Sequence, residues 1–228
     1  MNKANILLYF DVVSPYTWIA FESLLRYEKT LGVSLKLIPA GLGFIMRDAG
    51  SSPPALVEKK GQHNFRDLKI VGKYWGIPMN PPSNANDLML NKGSLKAQRF
   101  LTAIHMKYPN LLVPAAREFW MRLFSRGQTI HELEDVKQVC EKLNIGNSDD
   151  LIKLSNSDEI KSRFKTFTDE AINKGAFGMP WIVVEREGKP DICFFGSDRL
   201  PVICDLLECQ FSGPMKDVTN VFPMKSKI

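Results

Sequence analysis

Apolar positions along the chain follow two periods, and the places where the period switches mark its organisation. Asn5 to Val13 is a compact run of aromatic and branched residues, which predicts a buried strand. Ser14-Pro15 then predicts a helix start: serine caps free amides, and proline at the first helical position gives up a donor that had no partner. Trp18, Phe21, Leu24, Leu25 and Leu31 recur at helical spacing until Gly32, and Ser34 to Ile38 returns to strand character. Strand, helix and strand in that order predict a parallel pair joined by a right-handed crossover.

From Gly50 to about Lys165 strand patterns disappear. Proline and asparagine break the chain at Pro53-Pro54 and Pro78 to Asn86, and helical periodicity follows. Ser94 is placed to cap a helix carrying Leu95, Leu101 and Ile104. A second predicted helix runs from Ala115 to Ser125, and a third from His131 to Leu143. Ser157 starts another, with Ile160, Phe164, Phe167 and Ala171 inward, and Gly175 stops it. Trp181 to Glu185 and Asp191 to Phe195 then predict an antiparallel hairpin across a short turn. Gly196-Ser197-Asp198 opens a final helix with Leu200, Ile203, Leu206 and Leu207 inward. The order is βαβ, helical insert, ββα.

Composition removes several function classes. The chain of 228 residues can bury a full core without staples. Its net charge of +5 is spread out rather than gathered in runs, which argues against nucleic acid and suits a small anionic ligand better. Cys140, Cys193, Cys204 and Cys209 contain no C-x-x-C, and His63, His105 and His131 are too scattered for a metal site. A disulfide scaffold is not expected, and a reducing, intracellular compartment is. No apolar run approaches the ~20 residues that span a bilayer, and the first strand begins too near Met1 for a presequence.

A βαβ half joined to a ββα half is the arrangement of a thioredoxin-like α/β domain. Its parts here are residues 1–49 and 166–228, with 50–165 as an all-helical, DsbA-like insertion. In that fold the proline of Met179-Pro180, just before the third strand, is expected to be cis. The backbone of the preceding residue is then free to pair with a peptide-like ligand in strand fashion.

Four ordered blocks sharpen this picture. Asp11-Val12-Val13-Ser14-Pro15-Tyr16-Thr17-Trp18, Lys92-Gly93-Ser94-Leu95 with Arg99-Phe100-Leu101, Gly175-Ala176-Phe177-Gly178-Met179-Pro180 and Phe195-Gly196-Ser197-Asp198-Arg199 closely resemble kappa-class glutathione transferases, over nearly the whole chain. The helical insert is similar to that of DsbA-type oxidoreductases and bacterial 2-hydroxychromene-2-carboxylate isomerases. Ser14 stands where a redox C-x-x-C has its nucleophilic cysteine, and Thr17 where it has the resolving one. A hydroxyl cannot exchange disulfides, but it can donate a hydrogen bond to a thiolate beside a positive helix end. Taken alone, Ser14 reads first as a plain helix cap, and Ser197-Asp198 reads equally as an ordinary capping pair.

The resemblance implies a glutathione transferase that adds glutathione thiolate to small hydrophobic electrophiles, with peroxidase activity as a second expectation and no cofactor beyond glutathione as co-substrate. It implies Ser14 as the catalytic hydrogen-bond donor. Ser14, Pro15, Tyr16, Ser51, Lys60, Met179, Ser197 and Asp198 are implied to bind glutathione, with Asp67 helping to hold its amino group. Ser51 departs from the asparagine usual in the family and keeps only part of that amide's hydrogen bonding. Trp18 belongs to the core, in helical register with Phe21 and Leu25. The insert is expected to wall the electrophile pocket and to form a homodimer surface. Two alternatives stand beside this reading: a glutathione-dependent isomerase of the chromene-carboxylate type, and a noncatalytic binding or assembly protein that keeps the groove. Ser226-Lys227-Ile228 resembles a Ser-Lys-Leu peroxisomal signal, so a peroxisomal address is expected, with mitochondrion or cytosol as alternatives.

Overall fold

A computed structural model describes residues 4–81, 87–218 and 222. Ser226-Lys227-Ile228 therefore lies outside the described residues. β1 (Ala4–Phe10) pairs in parallel with β2 (Val33–Pro39) on one side and antiparallel with β3 (Trp181–Glu185) on the other; β3 pairs antiparallel with β4 (Ile192–Phe195). The sheet order is β2-β1-β3-β4, which joins the two halves expected from the sequence in one layer. α1 (Pro15–Leu31) crosses between the parallel strands and ends on Gly32, whose left-handed conformation (φ 63°) lets its N–H close on Glu28 and Lys29.

Alternation along β1 explains why the sheet is covered twice. Ile6, Leu8 and Phe10 share a buried cluster with α1 and most of the insert, whereas Leu7 and Tyr9 share a second with Ile45, Phe167, Ala171, Met179 and Val183. The second face is covered by α2 (Leu42–Asp48) and by α8 (Asp158–Asn173). Between these lie α3 (Glu58–Trp75), α4 (Leu95–Lys107), α5 (Leu112–Phe124), α6 (Leu133–Lys142) and α7 (Ser148–Ser155), and α9 (Leu200–Leu206) closes the chain's regular structure. Among the described residues no strand occurs between 50 and 165. α8 runs unbroken through residues 165 and 166, so insert and sheet domain share a helix.

The structure corrects several expectations. β1 ends at Phe10, because Asp11 to Val13 turns to feed α1. α5 starts at Leu112 and holds Pro114 in its first turn, where the missing N–H has no intrahelical partner. Ser94 precedes α4 but caps nothing: its hydroxyl donates to Asp11 Oδ1 at 2.6 Å. The last helix begins at Leu200 with Arg199 in the cap position, so Ser197 and Asp198 form a turn ahead of it. α2, α3 and α7 had no sequence expectation of their own.

Two buried polar side chains fasten the insert to the end of the sheet. Gln98, on α4, donates to the carbonyls of Phe10 and Ala40, both at 2.8 Å, and its carbonyl accepts from Val12 N–H at 3.4 Å. Asp11, fully buried, accepts from Val13 N–H at 3.0 Å, Leu42 N–H at 3.0 Å and Ser94 Oγ. From α5, Trp120 packs between Phe10, Phe21 and Trp18, with ring centroids 4.8 Å apart for Phe21, while Arg117 clamps the buried Glu22 of α1 at 2.7 and 3.0 Å.

These contacts give two expectations. Gln98→Leu orphans the buried Ala40 C=O and Val12 N–H, whereas Phe10 C=O keeps Ala40 N–H, so denaturant unfolding should show a loss of about 2–6 kcal/mol, each orphaned group costing roughly 1–3. Burial outweighs the three hydrogen bonds to Asp11 and pushes its carboxyl above the ordinary carboxylate range. On raising the pH through the ordinary value, the unfolded chain then releases this proton first, so stability falls until the raised value is passed. The melting temperature of the native chain minus that of Asp11→Asn should decline across that window and level off above it; calorimetry at stepped pH measures it, and a difference that rises with pH would refute the assignment.

Candidate active site at the end of the sheet

The first turn of α1 carries Ser14, Pro15 and Tyr16 on the connection that leaves β1, and Pro180 leads into β3. Because Tyr9 pairs with Trp181, both segments emerge at the same end of the sheet. Phe195 pairs with Trp181 as well, and Gly196 N–H donates to Pro180 C=O at 3.2 Å, which brings the Gly196-Ser197-Asp198 turn to that end. Ser51 joins through its hydroxyl, which donates to Phe177 C=O at 3.0 Å. Tyr16 Oη donates to Asp67 Oδ2 at 2.8 Å on α3. Lys60 lies seven residues, about two turns, earlier on the same face of that helix.

Ser14 is 5% exposed and held from three directions. Its N–H donates to Asp11 C=O at 3.0 Å, its carbonyl accepts from Trp120 Nε1 at 3.1 Å, and its Oγ accepts from Thr17 N–H at 3.2 Å. As the cap uses a lone pair of the hydroxyl, its proton remains to be donated. Capping and donation are therefore compatible roles for one serine. The 17 residues of α1 place about half a positive charge at this spot. Thr17 Oγ1 is enclosed behind it without a partner among the described residues.

The Met179-Pro180 peptide is cis, as expected. Neither the N–H nor the C=O of Met179 enters a hydrogen bond among the described residues, although its side chain is buried against Tyr9 and Val183. An unpaired backbone step beside a helix amino end can receive one extended residue of a peptide-like ligand. Gly178 keeps the approach open: a Cβ there would lie 3.0 Å from the Phe195 ring. Phe177 and Phe195, both nearly half exposed, meet with centroids 4.7 Å apart and form an apolar face next to Met179. That face comes from the sheet domain, outside residues 50–165.

The electrostatics of the expected residues differ. Burial and the Asp67 hydrogen bond push the Tyr16 hydroxyl far up, so it stays protonated and acts as a donor. A hydrogen bond from Arg199 holds Asp198 below the usual carboxylate range, and the exposed Arg199 guanidinium grips both its oxygens. Gly196, with φ 107°, makes room for this, since a Cβ would fall 2.6 Å from Asp198 Oδ1. Lys60 is exposed. Among the described residues no group of histidine, cysteine and carboxylate side chains could hold a metal, and no helix is long and apolar enough to cross a membrane. Four residues that sequence patterns did not single out for the site position it: Asp11, Ser94, Gln98 and Trp120. Asp11 carried a signal, being the one carboxylate inside an apolar run; the others are recognisable only through partners 58 or more residues away.

Comparison with known proteins matches this geometry to a family. A DSBA-like thioredoxin domain covers residues 5–208. "Glutathione S-transferase kappa 1" of Homo sapiens is 36% identical over 218 residues, 95% of this chain and 96% of that protein. The Rattus norvegicus protein of the same name is 36% identical over 215 residues, covering 93% and 95%. Among solved structures, a 2-hydroxychromene-2-carboxylate isomerase superposes with a TM-score of 0.74 over 90% of this chain and 94% of that one, at 18% identity, a likeness of fold alone. A serine-capped α1, a cis proline before β3 and identity sustained along the full length of these relatives place the chain in the kappa class of glutathione transferases, on a DsbA-like thioredoxin fold.

Proposed function

We propose that this chain is a glutathione transferase that holds glutathione as its thiolate at the amino end of α1 and delivers it to small hydrophobic electrophiles. The observation that carries the reading is the Ser14 hydroxyl, which caps α1 through a lone pair and keeps its proton for donation, at the position where a redox relative has its nucleophilic cysteine. The glutathione thiol, with a pKa near ~8.5, is only a few per cent ionised at neutral pH. Each unit by which the site lowers it stabilises the thiolate by about 1.4 kcal/mol. Met179 supplies backbone pairing to the cysteinyl residue, the Ser197-Asp198 turn receives the γ-glutamyl end, and Lys60 receives the glycyl carboxylate. Tyr16 fixes the first turn of α1 against α3 through Asp67. Asp198 keeps Arg199 on both its oxygens and Asp67 keeps Tyr16 on one, so the glutathione ammonium group adds to carboxylates that are already partnered.

The reaction follows from these roles. The thiolate attacks the electrophilic carbon, a C–S bond forms, and a haloarene expels halide with its bonding pair. Phe177 and Phe195 offer the electrophile an apolar face beside the sulfur. The range of electrophiles, peroxidase activity, a homodimer and residence in peroxisome or mitochondrion rest on the family resemblance.

Two experiments test the assignment. Ser14→Ala should cost the fold only about 1 kcal/mol as a lost cap. It should also raise the pKa of bound glutathione by about one unit, the scale of one hydrogen bond to a charge, and slow conjugation at neutral pH while sparing it at high pH. Ultraviolet titration of the bound thiolate, with 1-chloro-2,4-dinitrobenzene as electrophile, reads both; an unchanged pKa removes Ser14 from the chemistry. Asp198→Asn should weaken glutathione binding by about 1.5–3 kcal/mol, the scale of a charge-assisted hydrogen bond, and leave the thiolate pKa alone. Calorimetry showing equal affinity would move the γ-glutamyl end elsewhere.

A further inference from the structure

On the face of the sheet opposite α1, a cavity of about 460 Å³ opens between α2, α4 and α8, within the range of roughly 300–1,000 Å³ usual for small-molecule sites. It contains none of the residues assigned to glutathione. Phe44, Leu95 and Phe164 give it an apolar floor, and Gly41 lets that floor close. A Cβ on Gly41 would fall 2.6 Å from the Phe44 ring and 3.0 Å from that of Phe164; without it the two rings meet edge to face at 6.2 Å.

The polar lining is unbalanced. Arg47, Arg99, Lys161 and Lys165 face two carboxylates, Asp48 and Asp169. Lys165 is spent on Asp169 at 2.5 Å and Lys161 on Asp158 at 3.0 Å, while the Arg47 guanidinium lies 5.1 Å from the centre of the Phe44 ring. Neither Arg47 nor Arg99 has a carboxylate partner among the described residues. Arg99 Nε is enclosed and makes no hydrogen bond there. Arg99 is half-buried, and an enclosed N–H of a charged group with no acceptor calls for one.

We propose that this cavity binds a small amphipathic organic anion, an aromatic or alkyl body ending in a carboxylate or sulfonate, with Arg99 and Arg47 taking the anionic end and Phe44, Leu95 and Phe164 the body. Guanidinium forks suit such planar or tripodal oxygen groups. The walls are fixed in advance: Asp11 holds Ser94, which precedes Leu95 and Arg99, and it holds Leu42 at the start of the helix that carries Phe44 and Arg47. Thr168, on the third wall, accepts from Gly41 N–H at 3.1 Å. This site stands apart from the glutathione reading and does not require it.

Isothermal titration calorimetry of the full chain with naphthalene-2-sulfonate tests the proposal. One site per chain is expected, with affinity falling as salt rises from about 50 to about 500 mM. Arg99→Gln should weaken binding by about tenfold or more, and the neutral analogue naphthalene-2-methanol should bind weaker by a similar factor, as befits a lost charge-assisted contact. Saturating glutathione should leave the affinity within about twofold of its value without it. Equal binding to the native chain and Arg99→Gln, equal binding of the neutral analogue, or displacement by glutathione would each overturn the proposal. Should circular dichroism show Arg99→Gln to be misfolded, Lys165→Gln decides the matter, because that side chain is 75% exposed and its loss cannot undo the core. About a threefold weakening is expected from losing one rim charge, and none refutes the site.

Discussion

A carboxylate buried at the end of β1 sets the terms for everything around it. Asp11 has no cation to balance it among the described residues, and its burial is tolerated because three donors converge on its two oxygens. Taking an ion out of water costs several kcal/mol even after relaxation, so those donors cannot be spared individually. They come from the turn into α1, from the start of α2 and from the residue before α4. One side chain thus fixes where α1 begins, where the opposite face of the sheet is covered, and where the insert attaches. Gln98 adds the neutral half of the same joint by holding the ends of β1 and β2.

This joint explains how a large helical insertion coexists with an ordered site. An insert tied only by its two connecting segments would be free to rock against the sheet. Here it is fastened where the chemistry sits, through Gln98 and Ser94 to the end of β1 and through Trp120 to the carbonyl of Ser14. The Arg117 clamp on Glu22 is buried on the carboxylate side and holds the middle of α1 to the insert. Rigid anchoring matters because a hydrogen bond that stabilises a thiolate loses its strength steeply with misalignment.

Elements with a full apolar stripe were legible in the sequence, and elements that pack through small residues were not. β1 to β4, α1, α4, α5, α6 and α8 all announce themselves by period, to within a few residues at their ends. α3 is 18 residues long yet buries only Gly61, Leu68, Gly72 and Trp75. Glycine adds nothing to a hydrophobic pattern although Gly72 packs so tightly that a Cβ would lie 2.6 Å from Met79 Cβ. α2 buries a single apolar side chain, Ile45, and α7 two adjacent ones, Leu151 and Ile152, too few to show a period. In the site, Ser14 and Met179-Pro180 were legible because their chemistry is local, a cap and a proline. The roles of Ser94 and Gln98 depend on partners 58 to 88 residues away, and Ser94 looked like a cap because serine before a helix usually is one.

Ser14 stands where a redox relative has its nucleophilic cysteine, and the chain's own thiols are held in a different state from a redox sulfur. Burial pushes Cys140 and Cys204 up to about 11 and raises Cys193, so these sulfurs stay protonated at neutral pH. A thiol held in that state is a poor nucleophile toward electrophiles or disulfides. Around Ser14 the environment runs the other way: a free hydroxyl proton and a helix amino end both favour an anion. The same fold therefore suppresses thiolate where it would consume the protein and favours it where a diffusible thiol can be used and released. Electrostatic contrast between core and helix end, rather than any single residue type, separates this arrangement from a redox dithiol on the same scaffold.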